Sequence, residues 1–336
     1  MHDIAKECGC SVMTVSYALR DKPKVSAETK SRIQAVARKL GYKPDPSLSA
    51  LVSYRGNVSS QSIASPLAWI SATPQRDDWL HTDNFVLHYY QAACKRAAEY
   101  GYRVERFWLG EPGITPKRLS QILYSRGVTG LLVAPQPRPN ASLDMEWDHF
   151  SAVTFGHTLA VPQLHMASTH HSNLTLTALH HIRDLGYRRV GLYINRIHDM
   201  RVAHNFVGPF LADQMQVAVE NRIPPYCEPD FSWDNLHAWL DQWKPDCLLV
   251  SDSYAVKVLQ QRDRGTLPPM GIVTLEYNAQ YPVSGMSHNF PSVGEAAVDL
   301  LVKLIRRGET GIPSVRQSIL VNGSWIEDHS LATVTG

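Results

Sequence analysis

Short apolar segments alternate with amphipathic segments along most of this chain, from residue 66 to residue 308. The apolar segments have the length of strands, and the segments between them carry apolar residues at helical spacing. Strands that alternate with helices build parallel sheets covered by helices on both faces. Roughly ten strands over this length predict two lobes rather than one. One of the predicted helices runs from about Arg201 to Glu220.

Residues 1–41 have no strand pattern and predict three short helices. The first runs through HDIAKECG and ends at Gly9, and Ser11 caps a second that reaches about Leu19. Ser26 caps the third, whose apolar residues share one face. The predicted fold class is therefore an all-α helix-turn-helix head plus an α/β, two-lobed body with parallel sheets flanked by helices.

The second helix keeps apolar side chains on its outer face after Val15, Ala18 and Leu19 are assigned to the core of the head. Met13 and Tyr17 lie one turn apart on that outer face. In a helix-turn-helix, this face enters the major groove of DNA, while nearby hydroxyls and cations contact phosphates. The alternative is a small helical domain with an ordinary exposed helix. The predicted DNA contacts here are Ser11, Val12, Met13, Thr14, Ser16, Tyr17, Arg20, Lys24, Ser26 and Thr29.

The charge distribution also favours a polyanion as the partner of the head. Residues 1–56 contain ten Lys and Arg against five Asp and Glu, whereas the rest of the chain contains 23 against 26. A basic head on a mildly acidic body is typical of a protein in which only the head contacts nucleic acid.

A series of residues in the head matches a known sequence pattern at the same spacing: Asp3, Ile4, Ala5, Gly9, Ser11, Thr14, Val15, Ser16, Val25, Ser26, Thr29, Gly41, Tyr42 and Pro44. Through these residues the head resembles the DNA-binding domain of lactose-repressor-type (LacI/GalR) regulators. The resemblance makes Tyr42 a further DNA contact. Tyr17 stands where many members have an arginine suited to guanine. We therefore expect an operator sequence that differs from the commonest ones.

The segment KPDPSLSALVSYRG follows Tyr42, and its two prolines stop the third helix. In the family that the head resembles, a short helix here enters the minor groove, and a leucine wedges between base pairs. Counting from Pro44 places Leu51 on that leucine; the alternative is a linker turn in which Leu51 packs on the body. The predicted domains are a head (1–43), a hinge helix and linker (44–64) and a body (65–336), with lobe 1 at about 65–165 and 290–320 and lobe 2 at about 166–289 and 321–336.

The body segments LHHIRDLGYRRVGLY and SVGEAAVDLLVKLI resemble the periplasmic-binding-protein-like effector domain of the same family. In that fold the ligand lies between the lobes, at the carboxyl ends of strands. The resemblance places Arg201 on an arginine that grips ligand hydroxyls and Glu276 on a usual aspartate. His170 and His171 replace a usual Asp-Asn pair. Two alternatives therefore stay open: an effector other than a common hexose, or a protein that responds to no effector. The predicted effector-binding residues are Trp79, Phe85, Arg201, Ser251, Asp252, Glu276, His288 and Phe290.

Several other kinds of site have no support in the sequence. No dinucleotide, phosphate-loop, nucleophile-elbow or HExxH motif is present, so we predict no catalytic residues, no cofactor and no metal. Adjacent histidines on a helix diverge by about 100°, so the pairs that begin at His170 and His180 are interpreted as surface or interface residues. The scattered cysteines, the missing secretory signal and the lack of a membrane-length apolar run predict a cytoplasmic protein without a membrane partner.

These features predict a sequence-specific transcription regulator, expected to be a repressor. It would act as a homodimer on a pseudo-palindromic double-stranded DNA operator, because twofold protein symmetry imposes twofold symmetry on the site. The resemblance implies control by a small-molecule effector, expected to be a carbohydrate. The alternative is a small-molecule (sugar) binding or transport protein without a regulatory role on DNA, and a sugar-processing enzyme is a more distant one.

Overall fold

The computed structural model of the protein describes residues 2–11, 14, 15, 18, 25–39, 65–80, 85–230, 232–261, 269–328 and 331. The chain divides into two compact units, residues 1–63 and residues 64–336, which we call the head and the body. No helix in the described ranges is both long and apolar enough to cross a membrane.

The head is helical wherever it forms regular structure in the described residues. Two of its helices are α1 (His2–Cys8) and α2 (Ala27–Lys39), and Thr14, Val15 and Ala18 between them are also helical. Gly9 follows α1 with a φ of 62°, a left-handed conformation that suits glycine. The buried core is shared by all three segments: Ile4, Ala5, Cys8, Val15, Ala18, Ile33 and Ala37. This packing confirms the predicted helical head.

The body contains two six-stranded sheets, in agreement with the predicted two lobes. The strands are β1 (Ser65–Ser71), β2 (Tyr102–Trp108), β3 (Gly130–Val133), β4 (Ala141–Ser142), β5 (Ser151–Phe155), β6 (Leu159–Val161), β7 (His165–Thr169), β8 (Val190–Asn195), β9 (Tyr226–Glu228), β10 (Cys247–Val250), β11 (Gly271–Thr274), β12 (Gly285–Ser287), β13 (Ser318–Val321) and β14 (Ser324–Ile326). The first sheet has the strand order β13-β7-β5-β3-β1-β2 and is parallel throughout, and the second has the order β14-β12-β11-β10-β8-β9, with β14 antiparallel to β12. The strands β4 and β6 pair separately.

Helices cover the faces of both sheets. The helices are α3 (Phe85–Glu99), α4 (Pro116–Ser125), α5 (His171–Asp184), α6 (Arg196–Arg201), α7 (Val207–Gln214), α8 (Trp233–Trp243), α9 (Ser253–Gln261) and α10 (Phe290–Arg307). The first lobe contains the first sheet with α3, α4 and α10, and the second lobe contains the second sheet with α5 to α9. The last helix, α10, returns from the second lobe and packs against α3 in the first.

The chain crosses between the lobes three times, after β7, after β12 and after β13. Hydrogen bonds tie these crossovers together. The N–H of His170 donates to the carbonyl of Val321 at 2.8 Å, and Thr169 Oγ1 donates to the carbonyl of His288 at 3.3 Å. Because β7 belongs to the first sheet, the first lobe continues to Thr169 before the chain crosses over.

The predicted helix from about Arg201 to Glu220 is not continuous: α6 ends at Arg201, α7 covers only Val207–Gln214, and a 3-10 turn follows at Val219–Asn221. Ala203 and His204, between α6 and α7, have φ values of 54° and 61°, which no helix allows. The buried carboxylate of Asp199 holds this turn, since it accepts hydrogen bonds from His204 Nδ1 at 2.7 Å and from the N–H of Val207 at 3.0 Å. The prediction was wrong here because these contacts do not appear in helical periodicity.

The strand β7 has the sequence HMAST, which shows no apolar strand pattern, yet all five of its residues are buried. Its first residue, His165, has two hydrogen-bond partners in the structure. His165 Nε2 donates to Glu309 Oε1 at 3.1 Å, and His165 Nδ1 accepts the N–H of Gln317 at 3.0 Å. These partners are separated from His165 by more than 140 residues, so a buried strand with polar residues could not be predicted from the local pattern.

Candidate nucleic-acid interface and ligand cleft

Two helices in the head begin with the same serine and threonine arrangement. Ser11 Oγ accepts the N–H of Thr14 at 3.1 Å, and Ser26 Oγ accepts the N–H of Thr29 at 3.3 Å. In each pair the two hydroxyl oxygens also lie 2.8 Å apart. These contacts confirm the predicted N-caps and fix the starts of both helices.

Among the described residues, each of these pairs has one hydroxyl proton that the contact within the pair does not use. A pair has two hydroxyl protons, and its single oxygen-to-oxygen hydrogen bond uses only one of them. Ser11 and Ser26 are exposed, whereas Thr14 and Thr29 are half-buried. Both helix starts can therefore donate one hydroxyl hydrogen bond to a group outside the head, such as a phosphate oxygen.

Four of the predicted DNA contacts, Ser11, Thr14, Ser26 and Thr29, are thus among the described residues. The others lie outside the described residues, and their assignments remain predictions: Val12, Met13, Ser16, Tyr17, Arg20, Lys24, Tyr42 and Leu51.

A cavity of about 140 Å³ lies between the two lobes of the body. Its walls include residues one or two positions after β3, β5, β10 and β11, at the carboxyl ends of parallel strands, where α/β folds bind ligands. The structure brings together most of the predicted effector-binding residues around this cavity: Phe85, Arg201, Ser251, Asp252, Glu276, His288 and Phe290.

Trp79 lies elsewhere, in the core of the first lobe. Only 2% of its surface is exposed, and its ring packs 5.8 Å from that of Trp69 and 5.1 Å from that of Tyr90. A short 3-10 turn at Asp78–Leu80 folds it onto β1 and α3. Trp79 therefore stabilises the first lobe and does not form part of the cavity wall.

Arg201 connects the two lobes. It lies at the end of α6 in the second lobe, and its Nη1 donates to the carbonyls of Gln136 at 2.8 Å and Pro137 at 2.6 Å, in the loop after β3. Gln136 is itself held in place, since its N–H donates to Thr158 Oγ1 at 2.7 Å. The guanidinium has five N–H groups, and these two bonds use the pair on Nη1.

Asp252 is a half-buried carboxylate with several donors. Ser251 Oγ donates to its Oδ2 at 2.7 Å, the N–H of Ala255 donates to its Oδ1 at 2.9 Å, and His198 Nδ1 lies 2.9 Å from its Oδ2. Burial raises the pKa of Asp252, but the hydrogen bonds from His198 and the other donors outweigh burial and lower the pKa below its usual value. The same contact raises the pKa of His198. The two groups form an ion pair on one side of the cavity when His198 is protonated.

Two neutral histidines lie on another side of the cavity, with their ring centroids 5.5 Å apart. Burial lowers the pKa of His288 to about 4, and it lowers the pKa of His171 well below 6.5. His288 Nε2 donates to the carbonyl of Leu275 at 2.8 Å. The interpretation of His171 as a surface or interface residue was wrong, because the start of α5 turns inward at the crossover and buries it.

The sequence did not single out several of the residues in the wall. Tyr89 is one turn after Phe85 on α3, and its ring packs edge-on against Phe290 at 5.6 Å. His198 lies one turn before Arg201 on α6. Helical spacing from a predicted site residue is the signal that would have found both. His157, which follows β5, has no comparable signal.

This architecture is a helix-turn-helix head followed by a periplasmic-binding-protein-like body of two parallel-sheet lobes. Residues 1–45 match the family described as "Bacterial regulatory proteins, lacI family". This match confirms the resemblance of the head to lactose-repressor-type regulators that was inferred from the sequence.

A longer part of the sequence, beyond the head, is similar to a known repressor. It is similar to the HTH-type transcriptional repressor CytR of Escherichia coli (strain K12), with 25% identity over 194 residues, or 57% of this chain and 52% of CytR. The match thus spans about half the length of this relative.

Solved structures share the fold over nearly the whole chain. The Lac repressor bound to ONPG superposes with a TM-score of 0.58 at 17% identity, covering 98% of both chains. The transcriptional regulator CelR in complex with cellobiose superposes with a TM-score of 0.53 at 17% identity, covering 97% of this chain and 98% of CelR.

Proposed function

We propose that this protein is a cytoplasmic, sequence-specific DNA-binding transcription regulator, in the simplest case a repressor, that works as a homodimer. A small molecule in the cleft of the body changes its affinity for the operator. The observation that carries this proposal is that one chain joins a LacI-family head to a body with a cleft between two lobes. No enzymatic role, cofactor or resident metal is part of the proposal.

The head supports the DNA-binding part of the proposal. Two helix N-termini carry paired hydroxyls at Ser11/Thr14 and Ser26/Thr29, and each pair has one proton to donate. Helix N-termini and short hydroxyls are common contacts to phosphate oxygens, which position a head on the duplex without reading its sequence. Base reading is then assigned to Val12, Met13 and Tyr17, as the sequence predicts.

The cleft supports the effector part of the proposal. The three N–H groups of Arg201 on Nε and Nη2, together with the carboxylates of Asp252 and Glu276, can bridge neighbouring hydroxyls, and Phe290 can cover an apolar ring face. One regulator of similar fold, CelR, forms a complex with the sugar cellobiose. We therefore propose a carbohydrate or a similar polyhydroxyl ring as the effector.

The link between the two functions is the angle between the lobes. Arg201 contacts first-lobe carbonyls directly, so a ligand that binds this arginine alters a bond between the lobes. Such coupling amounts to about 1–3 kcal/mol in allosteric proteins, and it is reciprocal between the ligand and DNA.

DNase I footprinting of the region upstream of the gene tests the proposal. We expect the full-length protein to protect a site with dyad symmetry. Saturable binding of a sugar without any protected site would instead support a small-molecule binding protein that has no role on DNA.

The variant Thr29→Val should weaken binding equally at specific and random DNA, since phosphate contacts carry no sequence information. Ser31→Ala, an exposed change on the same helix, should leave both unchanged.

A further inference from the structure

The cavity between the lobes has no excess of positive charge among its described lining residues. Its guanidinium is Arg201, its carboxylates are Asp252 and Glu276, and no lysine lines it. Asp252 is paired with His198. The positive charge of Arg201 is then balanced by the negative charge of Glu276. Every cation in the described lining therefore has a corresponding carboxylate.

Helix N-termini are the other common sites for anions, and three of them near this cavity have one N–H group bonded or missing. The N–H of Asn173 near the start of α5 donates to His170 Nδ1 at 3.0 Å. The N–H of Ala255 near the start of α9 donates to Asp252 Oδ1 at 2.9 Å. Pro291, in the first turn of α10, has no N–H to offer. Each of these three helix starts therefore has one N–H group fewer to offer an anion.

The rest of the wall is uncharged and suited to rings. Phe85, Tyr89 and Phe290 form an aromatic cluster with ring centroids 5.5–5.6 Å apart. His171 and Ser168 also line the cavity, and the buried atoms His171 Nδ1 and Ser168 Oγ have no hydrogen-bond partner among the described residues. Such atoms favour a ligand that brings neutral hydrogen-bonding groups.

We propose that the cleft takes an uncharged ring ligand that presents hydroxyl or amide groups, and that it excludes the phosphorylated form of the same ring. A phosphate ester would bring a charge of about −1.5 to −2 into a site whose cation is already balanced. Removing that charge from water without a partner is unfavourable. The inference rests on the proposed function, since it names the chemical class of the effector.

The first experiment identifies what the cleft retains. The full-length protein is mixed with a protein-free small-molecule extract of the cells that carry the gene, washed and denatured, and the released compounds are identified by mass spectrometry. We expect an uncharged ring compound with at least two hydroxyl or amide groups. Enrichment of a phosphorylated or carboxylated compound would overturn the proposal, and so would the absence of any enriched compound.

The second experiment tests the role of charge with matched pairs. Thermal shift curves are recorded with the retained compound and its phosphate ester, and with D-ribose and D-ribose 5-phosphate as a reference pair. The phosphate ester of the retained compound should bind at least about tenfold more weakly than the parent compound, because the charge has no partner. Glu276→Gln should reduce this ratio several-fold, whereas Glu295→Gln, an exposed change on α10, should not. Equal binding of both forms by the unmodified protein would contradict the proposal.

Footprinting on the same preparation separates the two proposals. If the protein protects an operator but retains only anionic compounds, the proposed regulatory function stands and the proposed ligand class is wrong. If it retains a neutral ring compound but protects no operator, the proposed regulatory function is wrong and the proposed ligand class stands.

Discussion

His288 lies at the crossover from β12 to α10, where it is 6% exposed and packs against the rings of His171 and Phe290. Its Nε2 donates to the carbonyl of Leu275, and burial lowers its pKa to about 4. Protonation would place a charge among these side chains, where water cannot solvate it. The residue therefore makes the stability of the body depend on pH.

For His288→Gln, we expect a weaker loss of stability in acid. An unfolded histidine titrates near pH 6.5, so between pH 6.5 and 4 the unfolded chain binds more protons than the folded one. Stability in the unmodified protein then falls as the pH drops through this range, by on the order of 3 kcal/mol from this residue. Urea unfolding at pH 7.5 and pH 4.5 measures the difference.

The exposed change His180→Gln serves as the control. His171 contributes in the same direction as His288 because burial also lowers its pKa, so part of the pH dependence should remain. The pKa of His198 is raised, so its contribution to folding stability is fully present below pH 6.5 and is lost as the pH rises above that value. His198 therefore does not add to the loss of stability in acid. An unchanged pH dependence in His288→Gln would show that burial does not perturb this group.

At the level of elements, the break between α6 and α7 positions one side of the cleft. Asp199 closes this break with hydrogen bonds to the side chain of His204 and to the N–H groups of Phe206 and Val207. Arg201 lies on the same short helix, immediately before the turn. The orientation of Arg201 toward the first lobe thus depends on a carboxylate that does not itself line the cavity.

We expect Asp199→Ala to destabilise the body by about 2–4 kcal/mol, since it leaves buried backbone donors without an acceptor. Urea unfolding measures the change, and hydrogen exchange of the Val207 amide should accelerate strongly. Asp241→Ala, an exposed change on α8, should fall within about 0.5 kcal/mol of the unmodified protein. A similarly small effect at Asp199 would mean that the turn forms without it.

At the level of the whole molecule, two lobes joined by three crossovers can open and close, and Arg201 is a direct hydrogen-bonding contact between them. Arg196 lies on the same helix but donates to the carbonyl of Cys227 within the second lobe. The two arginines therefore form a matched pair, one bridging the lobes and one not.

Arg201→Gln should weaken the closed arrangement of the lobes. A hydrogen bond from a charged donor contributes about 1.5–3 kcal/mol, so the amide of Gln136 should exchange its hydrogen roughly tenfold faster. Hydrogen exchange followed by mass spectrometry measures this rate, and Arg196→Gln should leave it unchanged. Equal rates in the two variants would place the contact between the lobes elsewhere.

The operator-binding prediction concerns the whole dimer on DNA. Leu51 lies outside the described residues, so its wedge role stands on the sequence. Leu51→Ala should reduce operator affinity by roughly tenfold and affinity for random DNA by much less, because non-specific binding depends on phosphate contacts. Leu51→Met, which keeps an apolar side chain, should lose less. Titrations of labelled operator and random duplex measure both affinities, and equal losses would contradict the wedge.

The sequence predicted the features that depend on neighbours along the chain. Apolar runs such as those of β1, β3 and β10 formed central strands, and Ser11 and Ser26 capped helices, since a cap bonds a residue only three positions away. The family resemblance also predicted Arg201, Glu276 and most of the other residues that the structure places around one cavity.

Other features depend on which distant segments meet. His165 in β7 is buried because its partners come from near the end of the chain, and Trp79 enters a core that β1 and α3 create. His171 is neutral because folding encloses it. Strand and helix periodicity, caps and family were determined by the sequence itself, because those signals are local. Burial, pKa and the bond of Arg201 across the cleft were decided only by tertiary structure, because each depends on groups that folding brings close from elsewhere in the chain.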